Sequence, residues 1–240
     1  MRHRHLLFGD AQGGFAANPT LRSKFTFYAD PDDGDPPLVD SVAGNNLTNN
    51  GAVTFVAGGT PAGYSNYVAA SLQFLSRATF GAVEPVLDQS YCMAAWVYLD
   101  ALTSNMPIAG KWRPSNFEYL MQLNGTSQMR FLVRNSANSA NLIATSPTTL
   151  TTGTWNFFVA GFDASASQVY ISTNGGARTN TAGSPRIGGT ADFRIGHSDG
   201  AIYMDGRITR VGFGRFVPTA AEITHLFNAG AGRLYSEITI

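Results

Sequence analysis

The side chains able to do chemistry in this chain are few and scattered. Glycoside hydrolysis needs two carboxyl groups flanking one scissile bond. The sixteen Asp and Glu residues place no spaced pair on any strand-like segment. Their one dense group, Asp30, Asp32, Asp33 and Asp35, falls in the Pro/Gly-rich run DPDDGDPP. Of the four His, His3 and His5 lie near the N-terminus, His197 in the turn-like GHSDG and His225 in a helical segment. No G-x-S-x-G elbow or Cys–His pattern frames any of them, and no zinc spacing is present. These residues point away from an enzyme.

Binding chemistry is better supplied. A sugar site combines an aromatic face for the apolar side of the ring with amides or guanidinium groups for its hydroxyls. Trp112, in GKWRPSN, stands beside Arg113 and Asn116 and is the first platform candidate; Tyr64 and Tyr67, in GYSNY, are the second. Trp96 and Trp155 sit in strand patterns and read as packing residues. Calcium is the one cofactor for which the sequence offers ligands, since it takes loop carboxylates, amides and carbonyls. Its candidates are the acidic run, Asp40 with Asn45, and Asp199 with Asp205. Against that stands the commoner use of Asp/Asn/Gly-rich loops as turns.

Composition narrows the partners. Sixteen basic residues balance sixteen acidic ones, which removes the global electrostatic argument for nucleic acid or an anionic membrane. Charged residues make up only 13%, so Asn, Ser, Thr and Gly must solvate most loops. The single cysteine, Cys92, lies in an apolar run and cannot staple the fold. No stretch reaches membrane-spanning length, and MRHRHLLFGD lacks the apolar core of a cleaved signal. No membrane insertion is expected.

The elements that must carry these residues are strands. Residues 1–23 have a basic tip, scattered Leu6, Leu7, Phe8 and Phe15, and no periodicity. They read as either a disordered lead or an extended arm, and their large apolars favour an arm that docks on other structural subunits. From residue 24 onward, short apolar runs alternate with turn signals. SLQFLS sets Leu72 and Phe74 against polar neighbours, YCMAAWVYL reads as a strand buried on both faces, and Asn124-Gly125 and Asn174-Gly175 mark turns. Near the end, Ile208, Val211 and Phe213 define a strand, followed by a helix with Pro218, a Thr219-x-x-Glu222 capping box and a Gly230 stop. About a dozen strands and one short helix over 24–240 indicate an all-β, two-sheet antiparallel jelly-roll sandwich.

Four segments carry a family resemblance: DSVAGNNLTNNGAVTFVAG (40–58), AAWVYL (94–99), GTWNFFVAGFD with SQVYISTNGG (153–176), and FRIGHSDG through MDGRITRVGFGRFVPTAAEITHLF (193–227). In this order they resemble laminin-G-like domains of the concanavalin A-like lectin/glucanase superfamily. The resemblance implies a concanavalin A-like sandwich with ligand loops at its rim. Glucanases of that superfamily carry spaced carboxylates on one strand, and none is found here. Thr209 and Arg210 also stand where the family has an Asp-Glu pair. The chain is therefore expected to be a non-catalytic structural or interaction protein with a lectin-like sandwich. Its expected setting is a bacteriophage virion surface, as a decoration or fibre protein that binds surface glycans and reaches the outside without a cleaved signal. The alternative is a glycan-binding module of a secreted bacterial protein.

Overall fold

The computed structural model describes residues 20–30, 40–59, 61, 63–78, 81–86, 89–185, 189–198 and 200–239. Residues 1–19, most of the acidic run and Asp199 lie outside the described residues. A single turn of helix, α1 (Leu21–Lys24), comes first, then β1 (Phe25–Ala29), β2 (Thr48–Asn50), β3 (Thr54–Val56), β4 (Tyr64–Tyr67) and β5 (Phe74–Arg77). The long strands follow: β6 (Tyr91–Leu99), β7 (Pro107–Arg113), β8 (Asn116–Leu123), β9 (Gln128–Arg134), β10 (Asn141–Thr149) and β11 (Trp155–Asp163). The chain closes with β12 (Gln168–Thr173), β13 (Thr179–Ala182), β14 (Phe193–Ile195), β15 (Gly206–Gly214) and α2 (Ala220–Phe227).

Two antiparallel sheets result. The eight-stranded sheet runs β13-β12-β11-β6-β15-β4-β3, with β1 pairing along the rest of β15; the seven-stranded sheet runs β10-β9-β8-β7-β14-β5-β2. Alternating side chains from both inner faces form the main core, including Met93, Ala95 and Val97 of β6 facing Tyr119, Met121 and Leu123 of β8. The nearly continuous apolar run of β6 has a second cause. Its opposite face, with Cys92, Ala94 and Trp96, is covered by Ile223 and Leu226 of α2, by Ile238 and by Leu21. Trp96 stacks on Phe227 at 5.7 Å and 10°. Burial in this second cluster pushes the Cys92 thiol well above its ordinary value, so it stays a protonated packing group. Leu21 of α1 is itself fully buried there.

The strand and helix read from the C-terminal sequence are both present. Thr219 accepts the Glu222 amide at 3.2 Å while the Glu222 carboxylate accepts the Thr219 amide at 2.7 Å, closing the capping box. Ile208 and Val211 are three apart, yet both face the main core. Arg210, at φ 51°, is an extra residue that shifts the register between Thr209 and Gly212, and this bulge restores the inward alternation. Leu72 and Phe74 are corrected: Leu72 stands at a left-handed turn and is exposed, and Leu75 is the inward residue of β5. Alternation misleads there because the chain turns at Leu72 before β5 starts.

Candidate functional site

The outward positions of the seven-stranded sheet meet in register and form one surface. Gln122 of β8 pairs with Arg130 of β9, and Arg134 of β9 pairs with Asn141 of β10. On β7 the pairing slips between Lys111 and Trp112, which sets Trp112 opposite Phe117. Their rings lie 4.8 Å apart and tilted by 43°, and both are half-buried. The Arg134 guanidinium lies 5.4 Å from the Phe117 ring centre.

Trp112, Gln122, Arg130 and Asn141 border a cavity of about 290 Å³ that Asn105, Leu132, Ser198, Gly200, Ala201 and Ile202 also line. Asn105 holds the polar lining in place: its Oδ1 accepts Arg130 Nη2 at 2.7 Å and Gln122 Nε2 at 3.3 Å. Desolvation by burial lowers the basicity of Arg130. His197, buried, positions the loop. Its Nδ1 lies 3.0 Å from Arg194 Nη1, and its Nε2 lies 3.1 Å from the Gly200 carbonyl. Arginine can only donate, so Nδ1 accepts and Nε2–H donates to Gly200. The His197 ring also stacks on Tyr203 at 4.1 Å and 7°. The arrangement is an indole wall, fixed amides and one guanidinium, a set suited to a polyol ring.

The expected site residues divide between the two sheets. Trp112 lines the cavity, and Arg113 pairs with Asn116 across the adjoining hairpin. Arg113 is tied to Asp192 at 3.7 Å, and Arg194 approaches the same oxygen at 3.4 Å. Tyr64 belongs to the other sheet, where Arg207 lies 5.3 Å from its ring and 4.2 Å from that of Tyr98, with Trp155 edge-on to both tyrosines. Tyr67 is buried, 1% exposed, between the sheets and has no face to offer a ligand. Period-two alternation sends it inward while Tyr64 goes out.

The calcium pairs also change. Asp40 and Asn45 do come together, but as a turn: Asp40 Oδ1 accepts the Tyr28 and Val42 amides, both at 3.1 Å. Its Oδ2 accepts the Ala43 amide at 3.3 Å, the Asn45 amide at 3.4 Å and Asn45 Nδ2 at 2.9 Å. Donors converge on both oxygens of a carboxylate only 1% exposed, so their positive ends occupy the place a cation would take. Asp205 is half-buried ahead of β15, and its carbonyl accepts the Asp100 amide. Asp199 lies outside the described residues. Among the described residues no cluster of three His, Cys, Asp or Glu could hold a metal. Replacing Asp40 with Ala should cost about 2 kcal/mol, since five donors lose one charged acceptor. A thermal midpoint lower by about 4–8 °C would register it; an unchanged midpoint would contradict the turn assignment.

Sequence reasoning missed Asn105, Gln122, Arg130, Leu132 and Asn141. A signal existed in QMRFLVRN, whose Arg130, Leu132 and Arg134 occupy alternate positions. What brings them against Gln122 and Asn141 is the register of β9 with β8 and β10, which the pattern of one strand does not state.

The comparisons with known proteins fit this fold. A family model described as the concanavalin A-like lectin/glucanases superfamily matches residues 63–224, about two thirds of the chain. No curated protein sequence matches. The fold is similar to the binding domain of Paraclostridial Mosquitocidal Protein 1, with a TM-score of 0.68 and 9% identity over 87% of this chain and 52% of that one. It is also similar to domain 4 of AbnA, an extracellular arabinanase of Geobacillus stearothermophilus solved with arabinotriose, with a TM-score of 0.58 and 17% identity over 84% and 97%. A third likeness is to the binding domain of botulinum neurotoxin DC in complex with SialylT, with a TM-score of 0.59 and 11% identity over 87% and 52%. The chain spans about half the length of the two toxin domains.

Proposed function

This chain belongs to the concanavalin A-like lectin/glucanases superfamily, and from that premise we propose that it is a non-catalytic carbohydrate-binding domain whose ligand lies against Trp112 on the outer face of the seven-stranded sheet. The observation that carries the reading is the cavity itself: an indole beside Gln122, Arg130 and Asn141, with two of those side chains fixed by Asn105. Aromatic stacking supplies area, and pre-set donors supply orientation at little entropic cost. Among the described residues no carboxylate lines the cavity, whereas a glycosidase needs two. The arabinanase domain solved with a sugar supports the same reading by likeness of fold.

Trp112→Ala is expected to weaken glycan binding at least about tenfold, as loss of a central aromatic anchor does. The indole is half-buried at a hairpin end, so the fold should survive with a near-normal thermal midpoint. A glycan array followed by titration of the best ligand checks this. A blank array, or binding indifferent to Trp112, would sink the reading.

The setting we propose is an exposed, extracellular surface. A bacteriophage virion carrying the domain as a decoration or fibre component is one form; a bacterial extracellular protein carrying it as a module is the other. The large apolars of residues 1–23 support the first, because they suit an arm docked on a neighbouring subunit. Flanking genes for capsid and tail proteins would bear out the virion form, and polysaccharide-utilisation genes would overturn it.

A further inference from the structure

Strand β9 turns Arg130, Leu132 and Arg134 outward in succession, and same-face neighbours on a strand stand about 7 Å apart. Both arginines are held by neutral acceptors. Arg130 Nη2 donates to Asn105 Oδ1 at 2.7 Å, and its Nε is buried with no hydrogen bond. Arg134 donates to Asn138 Oδ1 at 3.1 Å, to the Asn138 carbonyl at 2.8 Å and to Asn141 Oδ1 at 2.9 Å. Neither forms an ion pair among the described residues, while Arg113 and Arg194 share Asp192 elsewhere on this sheet. Taking a guanidinium out of water without a counter-charge is unfavourable. The amides therefore orient these two cations without neutralising them, beside a cavity that no described carboxylate lines.

We infer that the glycan taken by this face is anionic. Arg130 and Arg134 pair with its carboxylate or sulfate groups while Trp112 and Phe117 meet its sugar rings. The inference rests on the carbohydrate-binding reading and adds the charge of the ligand to it. A guanidinium fork matches a carboxylate or a sulfate through two parallel N–H donors, so the two sources share one chemistry. The spacing of the arginines suits a polymer with repeated charges better than a single charged residue.

Affinity electrophoresis of the full chain in gels containing polygalacturonate, dextran sulfate or uncharged dextran separates the outcomes. Retardation by one of the two charged polymers and not by dextran is expected, and which polymer acts assigns carboxylate or sulfate. Arg130→Gln and Arg134→Gln should each weaken retention about fivefold or more, and together about thirtyfold. Arg215→Gln, an exposed arginine bound to the Gly81 carbonyl, is the charge-matched control and should change nothing. Charged-polymer binding that survives the double substitution, retention in dextran equal to that in the charged gels, or no retention in any gel would overturn the inference. Binding to neutral array glycans that depends on Trp112 and ignores both arginines would overturn it too, while leaving the carbohydrate-binding reading intact.

Discussion

Replacing Phe213 with Ala is expected to lower the unfolding free energy by about 4 kcal/mol, the usual loss for a fully buried Phe whose site cannot collapse. The residue lies at 0% exposure near the end of β15. Its ring stacks on Tyr91 at 5.8 Å and 17°, and on Tyr119 at 5.7 Å and 29°. Tyr91 and Tyr119 themselves approach to 5.7 Å. Tyr91 belongs to the eight-stranded sheet and Tyr119 to the seven-stranded one, so this trio joins the two layers. Deleting one ring leaves the other two anchored by their own strands, and the void persists. Denaturant titration should show a lower midpoint with an unchanged slope. Phe213→Leu keeps most of the volume and should cost about 1.5 kcal/mol or less. Equal losses for Ala and Leu would mean that ring packing does not hold the sheets together.

The sandwich was legible because its signals are local. The alternation in QMRFLVRN, the apolar run of YCMAAWVYL and the Thr219–Glu222 box each dictate an element without reference to the rest of the chain. Even the Ile208–Val211 spacing served, although only the bulge at Arg210 explains it. The site was less legible because it is assembled by pairing. Trp112 could be singled out as an aromatic beside turn residues. Its true neighbours come from β8, β9 and β10, and their juxtaposition depends on a slip at Lys111/Trp112 that no local pattern announces. Tyr67 shows the opposite limit: a tyrosine three residues from Tyr64 looks equally loop-like, and strand parity alone sends it inward. Asp40 was found for its ligand chemistry, and its donors turned out to be three amides of its own turn, the Asn45 side chain and the Tyr28 amide of β1.

The least legible group is the one whose removal should be most informative. Lys111 is 1% exposed, Glu118 is 0% exposed, and Lys111 Nζ lies 3.5 Å from Glu118 Oε1 while also bonding the Glu84 carboxylate. Gly189 closes over them; a Cβ there would lie 2.7 Å from Glu118 Cγ. Lys111→Met takes the Lys111 charge away from two carboxylates, one of them wholly buried, and should cost about 3–5 kcal/mol at pH 7. Adding Glu118→Gln should return much of that loss, because the buried charge goes with it. Denaturant midpoints at pH 7 for the parent, single and double variants measure both effects. A deficit under about 1 kcal/mol, or one that Glu118→Gln does not reduce, would show that Lys111 does not neutralise a buried charge.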